Sequence, residues 1–348
     1  MAQQHVRHLF PGSNTCRGFV GFFEELRRKA DRTVILKGGP GVGKSTLMRE
    51  AGRRFERQGM DVYYYHCSGD PDSLDGVLAP AAGYLVMDGT APHTVDPAVP
   101  GARDGILNLG VCLNESQLAS QAAEIESLQR RISACYAQAY RYLQSAHAIR
   151  DDAAAVYREA LSDREKAMLI REWLAEVPSG PDGGEDHAFV QAITWKGMLQ
   201  ETDAMLTDRV HCLDVPWGFD AHVLLLPLWQ AAAARGTARC AYHDPLDADC
   251  FAHVVIGSNV FTTAVMMDAS VLTPQLDTSV LRREGQRLAF DRAVYDMMVN
   301  QAVEALAEAK NHHDSLERYY IDAMDYSRLE EIKQQFIERL PVDKCDVM

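Results

Sequence analysis

The sequence predicts an α/β protein made of two related halves in tandem, each a doubly wound parallel sheet followed by long helices of coiled-coil type. Two observations predict this architecture. Patterns typical of strands alternate with patterns typical of helices in the first half, and a stretch of the second half matches the first without gaps. The length of 348 residues allows two domains that each bury a core.

The composition is that of a folded protein with an acidic surface. Hydrophobic residues make up 47% of the chain and charged residues 24%, which is typical of an ordered globular protein. A net charge of -14 opposes non-specific binding to nucleic acid or to an anionic membrane. We therefore expect neither of them as a partner.

The cellular location is predicted from the cysteines and the apolar segments. The eight cysteines form no C-x-x-C pair and no tight Cys/His cluster of the kind that structural zinc needs, which indicates reduced thiols. The N-terminal MAQQHVRHLF lacks the pattern of a signal peptide, and apolar runs such as residues 223–226 are too short to span a bilayer. These features predict a cytoplasmic protein.

A glycine-rich loop in the first half carries the strongest functional signal. In TVILKGGPGVGKSTLMREAGRRF, a β-branched strand pattern at residues 33–36 precedes the loop, and a helical pattern starts at Lys44. Gly38, Gly41 and Gly43 allow successive backbone N–H groups to surround phosphate oxygens at a helix N-terminus. This order of elements is typical of a P-loop, the phosphate-binding loop of nucleoside triphosphatases.

Three side chains near the loop have predicted tasks. Lys44 is expected to reach the β- and γ-phosphates, and Ser45 to bind Mg²⁺. Asp88 closes an apolar strand, where such proteins place the acid that holds Mg²⁺, and a turn-forming aspartate is the alternative. Lys44 and Asp88 are the predicted catalytic residues, and Ser45 and Asp88 the predicted metal ligands. The predicted nucleotide-binding residues are Gly38, Gly39, Pro40, Gly41, Val42, Gly43, Lys44, Ser45 and Thr46.

Two further strands are predicted at residues 61–67 and 83–88, which completes a parallel, doubly wound pattern. His66 and Cys67 end the first of them, near the place where such sheets bind ligands. His243 repeats the histidine in the second half, so a shared role in fixing a loop by a hydrogen bond is favoured for His66.

An internal repeat relates the two halves. With an offset of 177 residues, residues 31–77 align with residues 208–254, and 11 of 47 positions are identical. With an offset of 179, His8, Phe10, Thr15 and Gly18 match His187, Phe189, Thr194 and Gly197. The two halves are therefore expected to share one ancestral fold.

The second half has lost the phosphate-binding pattern. Residues 214–222 take the place of the loop, with Ala221 for Lys44, His222 for Ser45 and Asp220 for Gly43. Carboxylates at this position would repel phosphate. Val265 stands where Asp88 does. We interpret this half as structural or regulatory.

Long helices are predicted after each sheet, at about 111–177 and about 284–340. Apolar or small residues recur there with a spacing near 3.5, among them Cys135 and Ala139 in the first helix and Ala305 and His312 in the second. Packing within the chain or a homodimer seam is favoured over a lever driven by ATP. The segment at 178–186, PSGPDGGED, is the predicted linker between domains at 1–177 and 187–348.

Five segments carry a resemblance to a known family. They are RHLF, NTCRGF, LKGGPGVGKSTLM, HCSGDPDSLDGV and MDGTAPHTVDP. Together they resemble a family of bacterial P-loop ATPases built as two tandem repeats, over nearly the whole chain. The resemblance implies that the chain binds ATP and hydrolyses it. The second repeat of that family can carry its own phosphate loop, so residues 214–222 depart from it and argue against a second ATP site.

Three functions remain open from the sequence. The leading hypothesis is that the first half binds Mg-ATP and hydrolyses it slowly, while the second half and the helices transmit the nucleotide state to a protein partner. The alternatives are a kinase that transfers the γ-phosphoryl group to a small molecule and a nucleotide-binding scaffold without turnover. ATP is favoured over GTP by the resemblance, since no N-K-x-D-like motif is present.

Two polar segments are secondary candidates. The loop after Asp88 is a candidate γ-phosphate sensor or second substrate site, with turn formation as the alternative. Its polar residues are Thr90, His93, Asp96, Arg103 and Asp104. The acidic segment with Asp70, Asp72 and Asp75 lacks the terminal glutamate of a calcium loop and is not predicted to bind a metal of its own.

Overall fold

The computed structural model describes residues 5–91, 94–180, 183–205, 209–263 and 269–341. The chain is a mixed α/β protein with a six-stranded, mostly parallel sheet in each half and a two-stranded hairpin beside each sheet. Among these residues, no helix is both long enough and apolar enough to cross a lipid bilayer.

The strands of the first half are β1 (Val6–Leu9), β2 (Gly12–Thr15), β3 (Gly18–Gly21), β4 (Arg32–Lys37), β5 (Val62–His66), β6 (Leu74–Ala79), β7 (Tyr84–Asp88) and β8 (Asp104–Asn108). Those of the second half are β9 (Glu185–Ala188), β10 (Gln191–Thr194), β11 (Gly197–Gln200), β12 (Arg209–Leu213), β13 (Arg239–His243), β14 (Phe251–Ile256), β15 (Asn259–Thr262) and β16 (Ser270–Leu272).

The helices are α1 (Phe23–Arg28), α2 (Lys44–Arg57), α3 (Glu115–Ser120), α4 (Ala122–Ala160), α5 (Asp163–Glu176), α6 (His222–Ala234), α7 (Thr278–Asp322) and α8 (Tyr326–Glu338). Short 3₁₀ turns cover Leu109–Cys112 and Thr202–Met205.

The two sheets have the same strand order, which agrees with the internal repeat. The first runs β1-β5-β6-β7-β4-β8 and the second β9-β13-β14-β15-β12-β16. All neighbours within the first sheet are parallel except those of β6, and all within the second except those of β14. The prediction of a wholly parallel sheet is therefore wrong at one strand in each half.

The sequence pattern did not predict the antiparallel strand β6. The segment opens with a Leu-Asp-Gly triplet after an acidic stretch, which is typical of a loop, yet all of its residues are buried. Its link to β7 is a turn of four residues, Pro80 to Gly83, and so short a link joins antiparallel strands only. A parallel neighbour would need a crossover of a dozen or more residues.

Strand β4 is buried on both faces, which accounts for its unbroken apolar run. Val34 and Leu36 pack in one core cluster with residues of α2. Ile35 points to the other face and lies in a cluster that includes Tyr242 and Val260 of the second half. The two halves therefore share apolar core and do not form separate cores joined by a linker.

A second set of contacts joins the halves at the ends of β1 and β9. Phe10 and Phe189 exchange two backbone hydrogen bonds of 2.9 and 3.1 Å, and both side chains are fully buried. Nearby, the Asn14 side chain donates to the Ile193 carbonyl at 2.8 Å. The hairpin of the first half therefore lies against the hairpin of the second.

The long helices are exchanged between the halves. Helix α4 packs along α7, and pairs such as Arg287 with Asp152 and Arg283 with Glu159 show that they run antiparallel. As a result α8, from the second half, contributes Leu329 to the core that contains α2. Helix α5, from the first half, contributes Trp173 to the core that contains α6.

The helix and linker boundaries differ slightly from the sequence prediction. Helix α7 begins at Thr278, six residues before the predicted start, because Asp277 accepts a hydrogen bond from the Ser279 N–H and caps the helix. Glu185 and Asp186, placed in the linker by composition, form the first half of β9 and lie beside Arg239 and Cys240.

We expect Phe10→Ala to destabilise both halves together. Removing a fully buried phenylalanine costs about 3–5 kcal/mol through lost burial and the cavity left behind. All four tryptophans lie after residue 172. Trp173 and Trp229 report on the core that contains α6, and Trp195 and Trp217 report on the cluster where α4 meets α7. Urea unfolding followed by tryptophan fluorescence should therefore shift to a lower midpoint, although Phe10 belongs to the first half.

The matched control is Phe290→Ala, since Phe290 is 66% exposed. Its midpoint should stay near that of the unmodified chain. An unchanged tryptophan transition in Phe10→Ala would contradict the shared core.

Candidate functional site

The glycine-rich loop connects the end of β4 to the start of α2. Gly41 and Gly43 have φ values of 70° and 86°, a region that side chains with a Cβ rarely adopt. Gly43 directly precedes the first residue of α2, so the loop leads its N–H groups to a helix N-terminus. Val42 is 1% exposed and anchors the loop in the core.

Lys44 is the cation at the centre of the loop. Its side chain is 10% exposed, and Nζ donates to the carbonyl oxygens of Gly38 at 3.1 Å and of Gly39 at 2.8 Å. The Asp88 carboxylate lies 3.6 Å from the same nitrogen. The lysine and the acid that the sequence singles out are thus brought together.

Asp88 lies at the carboxyl end of β7, paired with Leu36 of the neighbouring strand β4. Its Oδ1 accepts hydrogen bonds from the Thr90 N–H at 2.8 Å and the Thr90 hydroxyl at 2.7 Å. Its Oδ2 is the atom near Lys44. Asp88 therefore forms the turn that the sequence offered as the alternative to magnesium binding, and its second carboxylate oxygen lies beside the loop lysine.

The remaining predicted residues of the loop occupy three environments. The Ser45 hydroxyl accepts a hydrogen bond of 3.0 Å from the Leu74 N–H, the first residue of β6. Pro40 is half-buried, and Thr46 is exposed on the first turn of α2. Ser45 therefore ties the loop to the antiparallel strand, and an oxygen lone pair and a proton of its hydroxyl remain available.

The second half keeps an equivalent hydrogen bond, but its acceptor is a histidine in place of the serine. The Phe251 N–H donates to His222 Nδ1 at 2.9 Å, in the position of the Leu74 bond to Ser45. The sequence alignment of Ser45 with His222 is thereby confirmed, and Gly218 retains a positive φ of 86°. Val265, the counterpart of Asp88, lies outside the described residues.

Asp220 occupies the helix start that a phosphate would use. Its Oδ1 accepts a hydrogen bond of 3.1 Å from the N–H of His222, the first residue of α6. Its Oδ2 lies 3.8 Å from Arg158 of α4. A side-chain carboxylate therefore satisfies one of the orphan N–H donors and lies at the positive end of the helix dipole.

The sequence missed the segment that lies against the glycine loop. The end of α7, from the second half, reaches the loop of the first, so that a Cβ on Gly39 would be 2.5 Å from Cε1 of Tyr320. A Cβ on Gly41 would be 3.0 Å from the side chain of Ile321. In the other half, a Cβ on Gly218 would be 2.9 Å from Cβ of Ala153 and 3.6 Å from the ring of Tyr157, both in α4. Only the exchanged fold brings these residues together.

The paired histidines fix loops in both halves. His66 Nε2 lies 2.8 Å from His8 Nδ1, and its other ring nitrogen lies 2.9 Å from the Pro71 carbonyl. His243 repeats both contacts, with His187 and the Ala248 carbonyl. Burial lowers the pKa of His66 and lowers that of His243 to about 4. This equivalence supports the loop-fixing role.

The loop after Asp88 is held by local bonds. Lys37 Nζ donates to the carbonyls of Gly89 and Val95, each at 2.8 Å, and to Asp96 at 3.0 Å. Asp104 accepts from two successive backbone N–H groups, those of residues 98 and 99, and Arg103 donates to the Ala30 carbonyl. His93 lies outside the described residues.

The acidic segment pairs with cations of the second half. Asp72 accepts from Lys196 at 2.6 Å, and Asp70 lies 3.8 Å from Lys310 of α7. Asp70 and Asp72 therefore lie at the interface between the two halves.

Comparison with family models, with curated proteins and with solved structures found no match to this chain.

A double-mutant cycle tests the contact between α7 and the glycine loop. Gly39→Ala should destabilise the fold by about 1–3 kcal/mol, because the new methyl group overpacks the Tyr320 ring. In Gly39→Ala/Tyr320→Ala the ring is gone, so the loss should be clearly smaller than the sum of the two single losses. Urea unfolding of the four proteins measures this coupling, and strict additivity would contradict the contact.

We expect acid to weaken the fold through buried histidines. The folded chain holds His243 with a pKa of about 4, whereas the unfolded value is near 6.5. Below pH 6.5 His243 binds a proton in the unfolded state but not in the folded state. The free energy of unfolding therefore falls as the pH falls towards 4. The loss is up to about 3 kcal/mol for this histidine.

Unfolding free energies at pH 7, 6, 5 and 4 provide the measurement. His243→Gln should show a shallower decline than the unmodified chain, and His5→Gln, at an exposed position, should show the same decline. Parallel curves for His243→Gln and the unmodified chain would be inconsistent with this assignment.

Proposed function

We propose that the first half binds Mg-ATP through residues 38–45 and hydrolyses it slowly, and that the end of α7 transmits the nucleotide state to the rest of the chain. The observation that carries the proposal is the position of Lys44. It lies at the first turn of α2, in a loop with positive-φ glycines, beside the Asp88 carboxylate. This is the arrangement that triphosphate binding requires.

The chain supplies the phosphate contacts from two sources. N–H groups of the loop and of the first turn of α2 give a concave array of donors at the positive end of a helix dipole. Lys44 adds one positive charge. The carbonyls of Gly38 and Gly39 accept hydrogen bonds from its ammonium group, and phosphate oxygens would replace these carbonyls as acceptors when a triphosphate binds. Binding and orientation of the triphosphate are assigned to these groups.

The magnesium ligands proposed are Ser45 and Asp88. Both offer oxygen, the donor that Mg²⁺ prefers, and Asp88 keeps Oδ2 free of the turn that engages Oδ1. The ion would neutralise charge that develops on the transferred phosphoryl group. Lys44 also screens Asp88 from the triphosphate, because an unpaired carboxylate there would repel it.

Transmission is supported by the contact of the second half with the loop. Tyr320 and Ile321 touch the glycines that would close around phosphate. A change of the loop on binding would therefore shift the end of α7, which runs as one helix back to Thr278. A protein partner that reads the position of α7 or α8 would sense the nucleotide.

Lys44→Ala tests the proposal. The loss of one charge-assisted contact of about 1.5–3 kcal/mol should weaken Mg-ATP binding by about ten-fold or more, and phosphate release should fall to background. Titration calorimetry with ATP and Mg²⁺ measures the first, and a phosphate-release assay the second. Arg57→Ala removes a positive charge from the exposed end of the same helix and should leave both unchanged.

Equal ATP affinity in Lys44→Ala and the unmodified chain would refute the proposal. Binding without turnover would favour the scaffold. Phosphate transfer to a small molecule, above the rate of hydrolysis, would favour the kinase.

A further inference from the structure

We infer that Cys135, Glu308 and His312 form a binding site for a zinc-like divalent cation on the seam between α4 and α7. The thiol sulfur, a carboxylate oxygen and an imidazole nitrogen lie within 4.8 Å of one another. Cys135 comes from the helix of the first half, and the other two come from the helix of the second. The site is independent of the proposed nucleotide function.

One of the three separations matches what a tetrahedral ion requires, and all three lie within 4.8 Å. Bonds of about 2.0–2.3 Å from one ion to oxygen, nitrogen and sulfur place neighbouring donors about 3.3–3.7 Å apart. The Glu308 Oε1 to His312 Nε2 distance is 3.7 Å. Small rotations of side chains are therefore enough to bring all three donors to bonding distance.

The donor set selects the kind of ion. Thiolate and imidazole together favour zinc and other late first-row cations, whereas magnesium and calcium take oxygen ligands. Three protein ligands leave a fourth position for water, and Glu308 lies on the exposed side of the site with 64% of its side chain accessible. An ion can thus enter from solvent and bind the buried sulfur of Cys135 on its inner side.

The backbone around the site is helical on both sides. Helices α4 and α7 are in close contact there through small buried residues, among them Ala139 and Ala305. Glu308 and His312 are four residues apart and so project from the same face of α7. Preformed helices remove much of the cost of assembling ligands from distant parts of the chain.

The position of the site gives it a structural effect. An ion there would join α4 of the first half to α7 of the second, eight residues before Tyr320. Eight residues of helix span about 12 Å, so the ion would brace the stretch of α7 that ends on the glycine loop.

Cobalt titration of the full chain under reducing conditions tests the site. Co²⁺ is the probe, because a thiolate bound to it produces a charge-transfer band in the near ultraviolet. We expect this band to saturate at one Co²⁺ per chain and to disappear when Zn²⁺ is added. Excess Mg²⁺ should leave it in place.

Variants locate the site. Cys135→Ser should abolish the band, and His312→Ala should weaken Co²⁺ binding about ten-fold or more. Cys112→Ser is the matched control, because Cys112 is also buried and should keep the full band. If Cys135→Ser fails to fold, His312→Ala still tests the site, because His312 is half-buried on a helix surface. The inference is overturned if no band forms at stoichiometric Co²⁺, or if the band persists in Cys135→Ser or at full affinity in His312→Ala.

Discussion

The antiparallel packing of α4 against α7 is the contact on which the rest of this architecture depends. A helix of 39 residues extends about 58 Å, far enough to carry the chain from one sheet to the other. Because the two helices run in opposite directions, each delivers its following helix to the opposite half. The apolar surfaces of α2 and α6 are therefore covered by α8 and α5, which come from elsewhere in the chain. Neither sheet closes its core with its own sequence segment alone.

The sequence predicted best what is encoded locally. The strand, glycine loop and helix around Lys44 lie within one continuous stretch, and the structure places β4, α2, β5 and β7 within a few residues of their predicted bounds. Asp88 was singled out because it ends an apolar run, and the structure places it 3.6 Å from Lys44. Strand β6 was missed because Asp75 and Gly76 resemble a turn, and burial in the middle of a sheet overrides local preference. The repeat showed two copies of one fold but gave no sign that they exchange helices.

The spacing of apolar residues predicted which face of each long helix is buried, but not which helix packs against it. Cys135 and His312 both fall on the apolar stripes, but a spacing near 3.5 is equally consistent with packing inside the chain and with a dimer. The register and direction come from contacts such as Arg287 with Asp152, which no local pattern contains. The contact of Tyr320 with Gly39 has the same origin. Residues that meet only through tertiary structure carry no signal in a single sequence.

The duplicated fold separates the contacts that both halves keep from those that only one half has. Ser45 and His222 accept hydrogen bonds from equivalent backbone N–H groups, those of Leu74 and Phe251, so that bond belongs to the scaffold. In the second half the carboxylate of Asp220 already occupies the helix start, with Arg158 nearby. Restoring the lysine by Ala221→Lys alone would produce an internal ion pair there and no vacancy for an anion. An anion site at the start of α6 would therefore require a change at Asp220 as well as the new lysine.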